Sequence, residues 1–179
     1  MITQTFTLEQ AAGAIGITPE RLEYWRSDGR LKPAWIIEHV TDTEEAKPDP
    51  SAPFDLEMIF RAVLQLELVK LSLPLTAAVQ IVAELGGGAN WAERNAEQLI
   101  AGAKQSYLFV EFSKDLNCLG EVHLLSNPDL DVGLFVDYLA ARPSERQNLD
   151  PEPASTVVVF CVGAALRRAL RELQLIRGK

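Results

Sequence analysis

The chain has 179 residues, of which 47% are hydrophobic and 23% are charged. That length and apolar content suffice for one large domain or two small ones, and they exclude a disordered, fibrous or disulfide-stapled chain. The 17 lysines and arginines against 25 acidic residues give a formal net charge of −8. The surface as a whole is therefore unsuited to non-specific binding of phosphates, whereas a local basic face is compatible with this charge balance.

Cysteine and histidine are sparse. Cys118 and Cys161 each stand alone in an apolar segment, where a buried thiol is expected, and neither His39 nor His123 accompanies them. We therefore expect no disulfide, metal site or cofactor. The first residues show no basic segment followed by an apolar run, and no apolar stretch approaches the length of a membrane span. These features predict a cytoplasmic protein without a membrane partner.

The N-terminal segment predicts two short helices joined by a tight turn. Thr7 and Gln10 form a capping-box pattern, in which the hydroxyl and the amide satisfy backbone N–H groups at the start of the first helix. Gly16 is expected to end that helix, because glycine tolerates the left-handed backbone of a C-cap. Thr18 is a good N-cap for the second helix, and Pro19 suits its first position.

The second short helix is expected to run to about Arg26. Its pattern places Leu22 and Trp25 on the inward side. Arg21, Tyr24 and Arg26 are left for solvent. The sequence therefore predicts a short helix with a cationic, aromatic outer face.

A strand and a pair of helices are predicted next. Residues 35–40 have a strand pattern, and residues 41–53 read as a proline-containing loop. The helix expected from Asp55 to Leu71 is apolar on most sides, which indicates burial on several sides. The helix expected from Thr76 to Leu85 stops at the glycines 86–88.

The second half of the sequence mixes helix and strand patterns. Residues 156–161 form a continuous apolar run, which is typical of a buried strand. Combined with the helical first half, these patterns predict an α+β fold. The expected elements of this half are a helix over 91–104, strands over 107–112, 121–125 and 156–161, and helices over 130–141 and 163–176.

Residues 7–33 (TLEQAAGAIGITPERLEYWRSDGRLKP) resemble the DNA-binding head of the MerR family of bacterial regulators. The most specific feature is the aromatic pair Tyr24–Trp25 placed ahead of Gly29. Residues 54–85 are similar to the second helix pair of the same domain. The resemblance implies a winged helix-turn-helix whose recognition helix spans about residues 19–26.

With this resemblance, three parts of the chain are expected. Residues 1–86 would form the MerR-like winged helix-turn-helix domain. Residues 87–105 would form a linker helix. Residues 106–179 would form a small α+β domain for dimerisation or sensing.

The resemblance implies sequence-specific binding of double-stranded DNA by a homodimer, as in a bacterial or phage transcriptional regulator. The second short helix would enter the major groove, with Arg21 reading a guanine edge and the N–H groups at the helix start helping to hold phosphates. The alternative reading of these arginines is a solvated helix face paired with neighbouring acids. The candidate DNA-binding residues are Thr18, Arg21, Tyr24, Arg26, Arg30 and Lys32.

The chain departs from the family in its acidic wing. The segment 38–57 carries seven acids against the single lysine Lys47, and Glu23 stands where the family has a basic residue before the aromatic pair. An alternative is therefore a protein-interaction module that retains a helix-turn-helix fold and binds a protein partner at this acidic loop. A further alternative is a phage packaging or excision factor. No nucleophile elbow, phosphate-binding loop or metal-binding His-x-x-x-His pattern occurs, so we expect no enzymatic activity.

Overall fold

The computed structural model describes residues 4–28, 53–85, 90–102, 105–112, 119–126, 131–141 and 156–175. Within them, the chain is an α+β protein with seven helices and one three-stranded antiparallel sheet. The helices are α1 (Leu8–Ile15), α2 (Pro19–Ser27), α3 (Leu56–Lys70), α4 (Leu75–Ala83), α5 (Trp91–Ile100), α6 (Val132–Ala141) and α7 (Gly163–Glu172). The strands are β1 (Tyr107–Phe112), β2 (Leu119–Leu125) and β3 (Thr156–Cys161).

The chain divides into two compact units. The first unit comprises residues 1–79 together with 165–179, and the second comprises residues 80–164. This differs from the three consecutive parts that were expected, because the C-terminal segment from Ala165 joins the N-terminal unit. An amphipathic helix needs a surface that covers its apolar side, and sequence order does not determine where that surface lies.

The start of the first unit is built by local capping. The Thr7 backbone N–H donates to the Gln10 side chain at 2.9 Å, and the Gln10 N–H donates to the Thr7 hydroxyl at 3.3 Å, which confirms the capping box. Gly16 ends α1 with a φ of 85°, a left-handed conformation that favours glycine. Thr18 and Pro19 then begin α2, as predicted.

The apolar sides of α1, α2 and α3 form the core of the first unit, because α1 packs against both of the other helices. Next to them, Phe6 and Phe54 pair through two backbone hydrogen bonds of 2.8 and 3.1 Å. Burying a side chain of this size contributes roughly 1.5–3 kcal/mol. The largest fully buried side chains of this unit are Ile15, Leu22, Phe54, Leu56, Ile59, Phe60, Leu64 and Leu68.

Helix α3 is buried on several sides, as its composition predicted. Asp55 caps it by accepting a hydrogen bond of 2.7 Å from the Met58 N–H. Even the polar residues Arg61 and Gln65 are buried. Arg61 donates to the Glu57 carboxylate at 3.0 Å, one turn earlier, and so its charge is matched inside the unit.

The second unit contains the sheet, in the order β2-β1-β3. Central β1 places Phe109 opposite His123 of β2 and Val159 of β3. Helix α5 packs on β2, where the Asn95 amide donates to the Leu124 carbonyl at 3.3 Å. Helix α6 packs on β3 and places the Phe135 ring edge-on at 4.6 Å from Phe109.

Strand β3 differs from the sequence expectation. It has the predicted bounds, but it lies at an edge of the sheet, its residues 157–160 are only half-buried, and Cys161 is exposed. The prediction of a buried strand and a buried Cys161 thiol is therefore wrong. A continuous apolar run shows only that a strand is hydrophobic. The order of the strands determines which strand has a neighbour on both sides.

Two helices, α5 and α7, end earlier than the sequence predicts. Helix α5 ends at Ile100 rather than near Lys104, and α7 ends at Glu172 rather than near Ile176. Positive φ angles follow at Gly102 (110°) and Gln174 (60°), which are incompatible with continued right-handed helix. The predicted strand 35–40, residues 41–52 of the predicted loop 41–53 and the glycines 86–88 lie outside the described residues.

Candidate nucleic-acid interface

The N-terminal end of α2 is the first candidate element. Thr18 is exposed, and its hydroxyl accepts a hydrogen bond of 3.3 Å from the Arg21 N–H. The backbone N–H of Glu20 and the Thr18 hydroxyl bind the Glu20 carboxylate and lower its pKa, so this exposed side chain stays ionised at neutral pH. Thr18 therefore positions the start of α2.

This capping leaves little room for an anion. Pro19 has no N–H, the Glu20 and Arg21 N–H groups are bonded to side chains, and the Leu22 N–H donates to the Thr18 carbonyl at 3.1 Å. The N–H groups at the start of α2 therefore already have partners within the chain. A phosphate there would have to displace the carboxylate of Glu20.

Arg21 and Tyr24 are the exposed functional side chains of α2. The Arg21 guanidinium lies 5.4 Å from the centre of the Trp25 ring, one turn along the helix. Trp25 is itself buried, as predicted, so it offers Arg21 a fixed surface. Tyr24 is 57% exposed. Both side chains are therefore accessible on a helix that Leu22 and Trp25 anchor.

Arg26 does not face solvent, and this prediction is wrong. It is 7% exposed, donates to the Glu23 carboxylate and lies with its guanidinium 4.9 Å from the Phe54 ring. The aromatic ring and the carboxylate together hold the cation inside the first unit. This guanidinium is therefore engaged by side chains of the first unit.

Two candidate residues, Arg30 and Lys32, lie outside the described residues, as does most of the acidic segment 38–57. Of its seven acids, the last two are described. Asp55 caps α3, and Glu57 pairs with Arg61. These two carboxylates therefore serve the fold of α3.

Sequence reasoning missed one basic residue beside the helix pair. Arg168 of α7 lies against the turn between α1 and α2, with its Nη2 atom 3.7 Å from where a Cβ on Gly16 would stand. Its side chain is 47% exposed and lies 3.8 Å from the Glu67 carboxylate. The only sequence signal was its place on the polar side of an amphipathic helix, and that pattern does not say what lies nearby.

A partly buried polar pair joins two strands of the second unit. Glu111 on β1 is buried and lies 3.1 Å from the half-buried His123 on β2, beside the Phe135 ring. In the part of the chain that the structure describes, no group of three or more His, Cys, Asp or Glu residues is arranged to hold a metal ion. Nor is any helix in these residues long and apolar enough to cross a membrane. This hydrogen bond joins two neighbouring strands of the sheet.

Comparison with models of protein families found none that matches this sequence, and comparison with curated proteins found no similar protein. What supports a function is therefore the geometry of the first unit. Its helices α1 and α2 flank a glycine turn, and arginines lie exposed on α2 and beside that turn.

Proposed function

We propose that this chain is a DNA-binding protein that acts as a sequence-specific transcriptional regulator, with α2 as its recognition helix. The observation that carries the proposal is the exposure of Arg21 and Tyr24 on a short helix that is capped, anchored by Leu22 and Trp25 and joined to α1 by a tight turn. In a helix-turn-helix, the N-terminal residues of the second helix reach base edges in the major groove. The MerR-like head is the form of this motif that the sequence favours.

Arg21 is the residue that we assign to base recognition. It lies in the first turn of α2, and its guanidinium can donate two parallel hydrogen bonds to the O6 and N7 atoms of guanine. The Trp25 ring below it limits the rotamers that the side chain adopts. A restricted side chain loses less conformational entropy when it binds.

Tyr24 and Thr18 have different parts in this proposal. Tyr24 is exposed and can contact the sugar-phosphate backbone through its hydroxyl. Thr18 has its hydroxyl engaged in the cap, so it sets the start of α2 and makes no contact of its own. Arg30 and Lys32 keep their place in the proposal on sequence position alone.

Homodimerisation is part of the proposal because a single α2 offers few contacts. A net charge of −8 weakens non-specific attraction to phosphates, and two linked half-sites compensate through effective concentration. Helix-turn-helix dimers read half-sites about one helical turn apart, roughly 34 Å. The second unit would then serve dimerisation or sensing.

A protein-interaction module is the second candidate, and Glu20 is the observation that favours it. This carboxylate is exposed and ionised at the very start of α2, where it would repel a phosphate. The acidic segment 38–57 adds to that negative field. In this reading, a basic protein surface takes the place of DNA.

Selection of duplex DNA from a random library by the full chain tests the proposal. We expect an enriched sequence, and we expect Arg21→Gln to weaken binding to it by about 1–3 kcal/mol, which is roughly a 5- to 150-fold loss, and to relax the preference at one base pair. Arg94→Gln is the matched control, because it removes the same charge from an exposed position on α5. Failure to enrich any sequence, or equal affinities of the two variants, would overturn the proposal.

A further inference from the structure

We propose that Arg168 and Arg171 of α7 form a second DNA contact, which holds a backbone phosphate beside the turn between α1 and α2. This inference rests on the proposed function, and it adds to it a binding surface from the opposite end of the chain. We call these two residues the α7 arginine pair.

Helix α7 is amphipathic, with buried side chains on one side and exposed side chains on the other. Its buried positions repeat with helical spacing, and Arg168 and Arg171 are exposed on the other side. Side chains three residues apart on a helix are neighbours, about 5–6 Å apart at Cβ. The pair therefore presents two cationic groups on one surface. The buried residues of this segment are Ala165, Leu166, Ala169, Leu170 and Leu173.

The position of Arg168 links this surface to α2. Its Nη2 atom lies 3.7 Å from the Cβ position of Gly16, and Gly16 is followed two residues later by the N-cap Thr18. Both segments belong to the first compact unit. A cation from residue 168 is thus held next to the turn that precedes the proposed recognition helix.

The surrounding charges leave this surface cationic. Glu67 pairs with Lys70 at 2.6 Å and lies at 3.8 Å from Arg168, so its single carboxylate is shared between two cations. Glu172 is the acid of α7 itself, and it is exposed. With Arg171 included, three cations stand against two acids.

Stabilisation of the helix dipole explains only part of this pattern. Cations are favourable in the last turn of a helix, and Arg171 is the basic residue in the last turn of α7. Arg168 lies earlier, and the effect of the dipole falls off within the terminal turn. The dipole therefore does not account for the place of Arg168 beside Gly16, where Glu67 is its charged neighbour.

A phosphate of the DNA backbone is the ligand that this geometry fits. When the second helix of a helix-turn-helix enters the major groove, the first helix crosses the backbone, and so the turn between them lies close to phosphates. Guanidinium binds phosphate with a planar, bidentate geometry. Since the N–H groups at the start of α2 are already bonded, the α7 arginine pair supplies phosphate contacts in addition to that of Tyr24.

The test is the salt dependence of binding to mixed-sequence duplex DNA and to the selected sequence, measured with the full chain. For wild type and the double variant Arg168→Gln/Arg171→Gln, affinities are taken between roughly 50 and 200 mM salt, where each phosphate contact contributes about 0.9 to the slope of log affinity against log salt. We expect the double variant to lose about 1–2 from that slope while keeping its sequence preference. Arg168→Lys/Arg171→Lys keeps the charge and should restore most of the slope.

The outcomes separate this inference from the proposed function. If wild type binds no duplex at any salt concentration, the proposed function fails and this inference fails with it. If wild type binds and the double variant has the same slope as the control Arg94→Gln, the inference alone fails. If the double variant loses binding to polyglutamate but not to duplex DNA, the pair is a site for an acidic protein, which also overturns the inference. Circular dichroism and melting of both double variants check that the exposed substitutions leave the fold intact.

Discussion

Replacement of Arg26 by alanine should lower stability and leave DNA affinity per folded molecule nearly unchanged. Arg26 is the cation that the sequence assigns to the outer face of α2 and that the structure buries against Glu23 and Phe54. The variant therefore separates a structural arginine from a binding one. Arg21→Ala, five residues earlier on the same helix, is the matched comparison.

The expected loss of stability follows from how Phe54, Glu23 and the surrounding core hold Arg26. A largely desolvated guanidinium over an aromatic ring contributes about 1–2 kcal/mol. The ion pair adds at most about 1 kcal/mol, because the Glu23 side chain is 38% exposed and its carboxylate is screened by water. Lost packing of the buried stem brings the total to about 2–3 kcal/mol. Arg21 is exposed, so Arg21→Ala should cost less than about 1 kcal/mol.

Urea unfolding followed by circular dichroism measures these differences. With a denaturant slope of roughly 2 kcal/mol/M, Arg26→Ala should lower the unfolding midpoint by about 1 M. Arg26→Met keeps the apolar stem and should lose less. DNA titrations at several salt concentrations complete the comparison. The reasoning is refuted if Arg26→Ala unfolds at the wild-type midpoint and reduces the salt slope as a phosphate contact would.

Two further substitutions test the close packing and the charges that the structure shows. Gly163→Ala should destabilise the second unit by about 1–3 kcal/mol, because the new Cβ would lie 2.6 Å from the Ser106 backbone nitrogen. Gly13→Ala is the control: it has open space around it and should stabilise the chain by up to about 1 kcal/mol. Equal changes in the melting temperatures of the two variants would contradict the close packing at Gly163. Glu20→Gln should raise affinity for duplex DNA relative to Glu9→Gln, its counterpart at the start of α1, and an unchanged affinity would remove α2 from the interface. Hydrogen bonds lower the pKa of both carboxylates in the folded chain. The stabilisation from these bonds is therefore complete at neutral pH and is lost as the pH falls through the folded-state pKa. The free energy of unfolding of the glutamine variants should lack this acid-sensitive contribution.

Local sequence signals were sufficient for the elements that surround the candidate interface. The capping box at Thr7 and Gln10, the left-handed Gly16 and the N-cap at Thr18 depend on residues within four positions of one another. Their hydrogen bonds form as soon as the helix forms, whatever lies around it. The bounds of β1 and β3 were likewise predictable from their apolar runs.

Residues whose environment depends on distant partners were mispredicted. The sequence pattern predicts Arg26 at the surface, but in the structure it is covered by Phe54, which is 28 positions later. The apolar run predicts a buried Cys161, but the strand order places β3 at an edge, where Cys161 is exposed. In both cases, the deciding neighbour belongs to another element of the chain.

Helical periodicity and capping are local, so the amino-acid sequence was enough to predict the α+β class, the helix pair around Gly16, the exposure of Arg21 and the burial of Trp25. The burial of Arg26 and the place of Arg168 beside the turn before α2, 152 positions beyond Gly16, became apparent from the folded chain alone. Burial and proximity depend on which apolar surfaces cover one another. The contacts between apolar surfaces depend on the folded chain as a whole. They determine which basic residues are held inside the fold and which remain accessible to a ligand.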